Sequence, residues 1–78
     1  MFTRLRELRE DNDLSQEACA KIAFISKNSY IRYEKGERVP PLDVIVAYAN
    51  YYKVSIDYIA GLTDDMRKLA LQKNKVKK

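Results

Sequence analysis

The chain has 78 residues, which is enough for one small domain. It contains no histidine and a single cysteine, Cys19. The usual acid–base side chain of neutral pH is therefore missing, and neither an internal disulfide nor a multi-cysteine zinc site can form. The longest apolar run covers residues 44–49, far short of the about 20 residues that cross a bilayer. We expect a small cytoplasmic domain that is not an enzyme, with no catalytic residue, metal, cofactor or membrane partner.

The net charge of +4 comes from 15 Lys and Arg residues against 11 Asp and Glu residues. Counting along the chain shows that residues 1–62 are neutral as a set and that residues 63–78 carry the whole excess. Residues 26–38 nevertheless carry +2 locally. The cations of this segment are Lys27, Arg32, Lys35 and Arg38. Any argument for a polyanionic partner therefore depends on a local patch rather than on the average charge.

The first two predicted elements are short helices. Phe2, Leu5 and Leu8 recur at helical spacing with charged residues between them, which predicts a helix over about residues 2–11. Ser15 is a typical N-cap and predicts a second helix over about residues 16–23.

The third helix is predicted between Ser26, another typical N-cap, and Gly36, which suits the left-handed conformation that ends helices. In the turn before it, Ile25 is expected to insert into the core. Tyr30 and Tyr33 are predicted to face the core as well. The opposite, outward side then carries Lys27, Asn28, Ile31 and Arg32.

Two more helices complete the predicted set. A fourth helix follows the Pro40-Pro41 pair, and Ser55 caps a short fifth helix that stops at Gly61. A weak sixth helix is predicted over about residues 63–72. The residues expected to line the buried face of the fourth helix are Leu42, Ile45, Val46, Ala49 and Tyr52.

The second and third helices, joined by only a few residues, predict a helix-turn-helix. A helix fits the major groove of B-form DNA, where Lys or Arg pairs with guanine and Asn pairs with adenine. Lys27, Asn28 and Arg32 therefore suit base recognition, although an ordinary solvated face is the alternative. Ile31 either contacts a thymine methyl group or is a neutral surface residue.

Four segments resemble the Cro/repressor-type (XRE-like) helix-turn-helix regulators over roughly residues 4–62. These are residues 4–10 (RLRELRE), 14–17 (LSQE), 26–36 (SKNSYIRYEKG) and 54–58 (VSIDY). The resemblance implies an all-α, five-helix, lambda-repressor-like DNA-binding domain in residues 1–62. Residues 63–78 would follow it as a C-terminal helix or basic tail.

The resemblance also implies individual roles. Gln16 would contact the DNA backbone and brace the recognition helix. Ser29 would contact a base or a phosphate, and Lys35 and Arg38 would contact phosphates. Arg9 and Glu34 occupy the positions of an interhelical salt bridge.

Two residues depart from the family pattern. Phe24 stands where relatives usually have glycine in the turn, and Asp13 stands near another usual glycine. A left-handed backbone at Phe24 would be strained by about 1–3 kcal/mol.

The function expected from these features is that of a sequence-specific double-stranded DNA-binding regulator, a repressor that binds a palindromic operator as a homodimer. The expected dimer surface lies in residues 48–71 and includes Tyr51, Tyr58, Met66 and Leu69. An antagonist protein is one candidate for its control. The alternatives are an antitoxin or other protein-interaction module whose DNA binding is only autoregulatory, and a non-specific nucleic-acid binder.

Overall fold

The computed structural model describes residues 4–65, and within this range the chain forms five α-helices and no strand. The helices are α1 Leu5–Asp11, α2 Gln16–Ile22, α3 Lys27–Lys35, α4 Leu42–Tyr52 and α5 Ile56–Ile59. The all-α prediction is confirmed. Residues 63–65 are not helical, and the rest of the predicted sixth helix lies outside the described residues. In the described part of the chain, no helix combines the length and apolar character of a membrane span.

Serine side chains begin three of the helices. The hydroxyl oxygens of Ser15, Ser26 and Ser55 each accept a hydrogen bond from the backbone N–H three residues later, at 3.0, 3.1 and 2.9 Å. Such a cap contributes about 1 kcal/mol to helix stability. Gly36 ends α3 with a φ of 80°, a conformation that glycine adopts without steric cost. The predicted boundaries of α2 and α3 therefore agree with the structure to within about a residue. α5 begins after its predicted cap but ends at Ile59, two residues before Gly61.

The core is formed by the inward faces of all five helices, and α2 packs against both α3 and α4. Tyr48 of α4 is fully buried, and its hydroxyl donates a 2.6 Å hydrogen bond to the carbonyl oxygen of Cys19 in α2. Burial of the ring is compatible with its polar tip because that tip has a partner. The buried hydrophobic residues are Leu5, Leu8, Cys19, Ala20, Tyr30, Tyr33, Val44, Ile45, Tyr48, Ala49, Val54 and Ile59.

The predicted buried face of α4 is only partly correct, because the observed face is rotated around the helix axis. Tyr52 packs against the core as predicted. Leu42 is 68% exposed, whereas Val44 and Tyr48, which the prediction left out, are buried. Ile45 and Ala49 belong to both faces and are buried as predicted. In the observed rotation, the hydroxyl of Tyr48 bonds to Cys19 of α2.

Arg4 joins the start of α1 to the end of α5. Its backbone N–H donates to the carbonyl oxygen of Ile59 at 2.9 Å, and its Nε donates to that of Tyr58 at 2.9 Å. Its Nη2 lies 2.7 Å from a carboxylate oxygen of Asp64, and its guanidinium lies 4.5 Å from the centroid of the Tyr58 ring. Tyr58 is therefore half-buried between Arg4 and the core, and its expected place on a dimer surface stays a prediction.

Candidate nucleic-acid interface

α2 and α3 form a helix-turn-helix unit whose turn is closed by backbone hydrogen bonds. The N–H of Phe24 donates to the carbonyl oxygen of Lys21 at 3.2 Å, and the N–H of Ile25 donates to that of Ala20 at 3.0 Å. Phe24 has a φ of 58°, so the turn keeps the left-handed conformation although the residue is not glycine. Ile25 packs against the core as predicted. The unit thus fixes the direction of α3 relative to α2.

α3 has two faces of opposite character. Tyr30 and Tyr33 are buried, and they anchor the helix to the domain. Spacings of one, three and four residues place the predicted base-reading residues on the other side. Lys27, Asn28, Arg32 and Lys35 are all exposed there, and Ile31 among them is half-buried. A rigid helix therefore presents one amide and three cations to solvent.

The hydroxyl of Ser29 takes part in the N-terminal cap of α3. The Ser26 hydroxyl accepts from the Ser29 N–H at 3.1 Å and donates to the Ser29 hydroxyl oxygen at 3.0 Å. Since a hydroxyl also has its own proton, Ser29 remains able to donate to an external acceptor. Its side chain is half-buried at the first turn of the helix. The arrangement therefore leaves Ser29 able to donate either to a base or to a phosphate.

Arg38 lies in the segment between α3 and α4, where it is exposed. The N–H of Glu37 donates to the carbonyl oxygen of Arg32 at 2.9 Å, which folds the start of this segment back onto α3. The buried Pro40 fixes its other end. Arg38 therefore extends the row of cations past the C-terminus of α3.

Glu34 lies on α3 but does not reduce the positive charge of the exposed face. Its carboxylate is only 6% exposed and lies 2.8 Å from the Nε of Arg9 on α1, whose side chain is 17% exposed. The second oxygen accepts from the Nη2 of Arg9 at 3.4 Å. The exposed charges of residues 26–38 are thus four cations and Glu37, so the face carries +3 rather than the +2 counted from sequence.

Gln16 is placed differently from a free surface glutamine. It is the first residue of α2, half-buried, and its Nε2 donates to Glu34 at 3.0 Å. Tyr30 donates its hydroxyl to the other carboxylate oxygen at 2.8 Å. Burial alone would raise the pKa of Glu34, but the hydrogen bonds from Arg9, Gln16 and Tyr30 bring that pKa below its usual value. The carboxylate is therefore ionised and joins three helices.

Sequence reasoning missed the contact of Tyr30 with Glu34, and it expected Gln16 to brace α3 without identifying Glu34 as its partner. The pair of Tyr30 and Glu34 has the four-residue spacing that brings side chains together on a helix, and this was a usable signal. The bond from Gln16 to Glu34 joins different helices, and no local pattern announces it.

Comparison with known proteins agrees with this geometry. The helix-turn-helix family model matches residues 5–59. The uncharacterized HTH-type transcriptional regulator YobD of Bacillus subtilis (strain 168) is 50% identical over 62 residues, which are 80% of this chain and 55% of that protein. The cryptic phage CTXphi transcriptional repressor RstR of Vibrio cholerae is 40% identical over 57 residues, 72% of this chain and 51% of that protein.

A third relative is the HTH-type transcriptional regulator ImmR of Bacillus subtilis (strain 168), which is 32% identical over 65 residues. The match covers 83% of this chain and 51% of ImmR. The chain spans about half the length of these curated relatives. No solved structure is significantly similar to it.

Proposed function

Since the chain belongs to the helix-turn-helix family, we propose that it is a sequence-specific double-stranded DNA-binding transcriptional regulator. The observation that carries the proposal is the exposed face of α3, where Lys27, Asn28 and Arg32 lie on a helix held rigidly by two buried tyrosines. A helix of this kind fits the major groove, which presents a distinct pattern of donors and acceptors for each base pair.

Each residue of the exposed face has a role that follows from its chemistry. Lys27 and Arg32 are donors suited to the guanine O6 and N7 acceptors, and Asn28 is suited to the donor and acceptor edge of adenine. Ser29 donates to a base or to a phosphate. The side chains proposed to hold the DNA backbone are Gln16, Lys35 and Arg38, which lie at the start of α2, in the last turn of α3 and in the segment after it. Backbone contacts set the register of the helix in the groove but carry no sequence information.

The finer proposal is repression by a homodimer on a palindromic operator. One α3 reads only a few base pairs, and a two-fold dimer doubles that number over half-sites about 34 Å apart. The name of the RstR relative, a transcriptional repressor, supports the direction of regulation. Repression would then be steric, since a bound dimer covers the promoter.

Exposed apolar side chains near the end of the described chain support dimer formation. Tyr51 is 50% exposed, Ile56 41% and Leu62 78%. Burying such side chains against a second copy is favourable at about 25 cal/mol per Å² of apolar area. Met66 and Leu69, also predicted at this surface, lie outside the described residues. Sedimentation at micromolar concentration tests the dimer: a species of twice the chain mass is expected, and a clean monomer would rule it out.

The decisive variant for base recognition is Arg32→Ala. Loss of a base contact costs about 1–3 kcal/mol, so affinity for the chain's preferred duplex should fall by about 5- to 150-fold, with relaxed preference at one base pair. Arg6→Ala is the matched control, because it removes the same charge from a side chain on α1 that is 70% exposed. Among the described residues, Arg6 pairs only within its own helix, with Glu10 at 3.1 Å. Its affinity should stay within about twofold of the wild type. Equal effects of the two substitutions would indicate non-specific attraction and contradict the proposal.

A further inference from the structure

The carboxylate of Glu34 accepts hydrogen bonds from three different side chains. Arg9, Gln16 and Tyr30, from α1, α2 and α3, all donate to it at 3.4 Å or less. The remaining guanidinium nitrogen of Arg9, Nη1, donates to the carbonyl oxygen of Leu14 at 3.2 Å, just before α2 begins. The start of α2 is therefore held through both its backbone and its first side chain.

The bond to Glu34 fixes which way the Gln16 amide points. An ionised carboxylate only accepts hydrogen bonds, so the amide nitrogen rather than the amide oxygen must face it. That nitrogen has two hydrogens, and the 3.0 Å bond to Glu34 uses one of them. The second N–H is thereby held in a defined direction, and since no other residue of the described range 4–65 bonds to this amide nitrogen, it is available to an external acceptor.

We propose that Glu34 is a positioning residue that aims the second N–H of Gln16 at a DNA phosphate. A free glutamine must lose side-chain rotamer freedom when it binds, and this loss of entropy opposes binding. In this chain the rotamer freedom of Gln16 is already lost on folding, because Glu34 holds the amide before DNA binds. The proposal rests on the proposed DNA-binding function. It adds that an acidic side chain that does not contact DNA raises the affinity for DNA.

A double-mutant cycle on the preferred duplex tests the coupling. Gln16→Ala should weaken binding about tenfold or more, since a hydrogen bond to a charged group is lost. Because glutamine is neutral, the slope of affinity against salt concentration should stay unchanged. Glu34→Gln should weaken binding of the wild type by a similar factor but should weaken Gln16→Ala by less than about twofold.

Tyr30→Phe is the matched control. It removes one hydrogen bond from the same carboxylate and leaves the contact of Gln16 in place. It should therefore lower the stability of the domain but leave the affinity within about twofold. If the factors for Gln16→Ala and Glu34→Gln simply multiply in the double variant, Glu34 does not act through Gln16 and the proposal is wrong.

A measurement on the wild type keeps the test independent of whether Glu34→Gln folds. In the NMR spectrum of the free protein, one side-chain amide proton of Gln16 should be hydrogen-bonded and slow to exchange, and the other should exchange freely. Addition of the preferred duplex should slow the second proton. Free exchange of both protons without DNA would overturn the positioning role. A wild type that prefers no duplex would instead refute the proposed function and leave the result for the free protein standing.

Discussion

Phe24 offers a test of the helix-turn-helix geometry that does not depend on DNA. Its φ of 58° places it in the left-handed region, and its side chain is 94% exposed. A residue with a Cβ atom loses about 1–2 kcal/mol in this conformation. Because the ring is exposed, its burial contributes almost nothing that would offset this strain. We predict that Phe24→Gly raises the free energy of unfolding.

The magnitude follows from two opposing contributions. Glycine removes the strain of about 1–2 kcal/mol, but its greater freedom stabilises the unfolded chain by about 0.4–1 kcal/mol. The net gain expected for Phe24→Gly is about 0.5–1 kcal/mol. For a domain of this size, that gain corresponds to a rise of about 2–8 °C in Tm.

Urea denaturation of Phe24→Gly, Phe24→Ala and the wild type separates strain from the loss of the ring. Phe24→Ala keeps the Cβ atom and therefore the strain, so its stability should stay within about 0.5 kcal/mol of the wild type. Equal stability of the alanine and glycine variants, or a glycine variant less stable than the wild type, would refute the strain argument.

Three further predictions concern charged groups. Arg9→Met should lower the free energy of unfolding by about 3 kcal/mol in urea denaturation, because it leaves the buried carboxylate of Glu34 without its cation. Arg6→Met is the control and should change the free energy of unfolding little. Equal losses in the two variants would contradict the role of the ion pair. The pKa of Glu34 is lower in the folded state, so its stabilisation is complete above the usual carboxyl pKa of 4.5 and is lost as the pH falls through the lower folded value. Thermal melts from pH 7 to pH 2 should therefore fall more steeply for the wild type than for Glu34→Gln, and parallel curves would contradict this. Lys35→Ala should reduce the slope of log affinity against log salt by about 1, and an unchanged slope would remove Lys35 from the phosphate contacts.

Local signals in the sequence predicted helix boundaries well. Ser15, Ser26 and Ser55 all cap helices, and Gly36 takes a positive φ. These features depend on bonds between a side chain and backbone a few residues away, so the sequence within one turn determines them.

The orientation of α4 was not predictable in the same way. Its sequence, LDVIVAYANYY, is apolar on nearly every side, so more than one face has the spacing of a core stripe. The structure selects the face that contains Tyr48, whose hydroxyl reaches the carbonyl oxygen of Cys19 on another helix. Contacts with other helices therefore determine which face of α4 is buried, because the periodicity of its sequence allows more than one.

In the candidate interface, too, the local features were predictable from the sequence and the contacts between helices were not. The exposed positions of Lys27, Asn28 and Arg32 followed from helical spacing once Tyr30 and Tyr33 were assigned to the core. The hydrogen bond that restrains Gln16 could not be predicted from helical spacing. It requires α2 and α3 to cross so that Glu34 lies next to the start of α2. Resemblance to a family suggested a partner for Glu34, and only the packed structure shows three donors around it.

Selection of duplexes from a random pool by the wild-type chain tests the central claim most directly. We predict one enriched, two-fold symmetric sequence whose half-sites lie about one helical turn apart. At physiological salt, the chain should bind it at least about 10³-fold more tightly than unrelated DNA. Arg32→Ala should relax the selected sequence at one position in each half-site. Enrichment of no sequence, with equal affinity for every duplex, would contradict the claim that α3 reads bases.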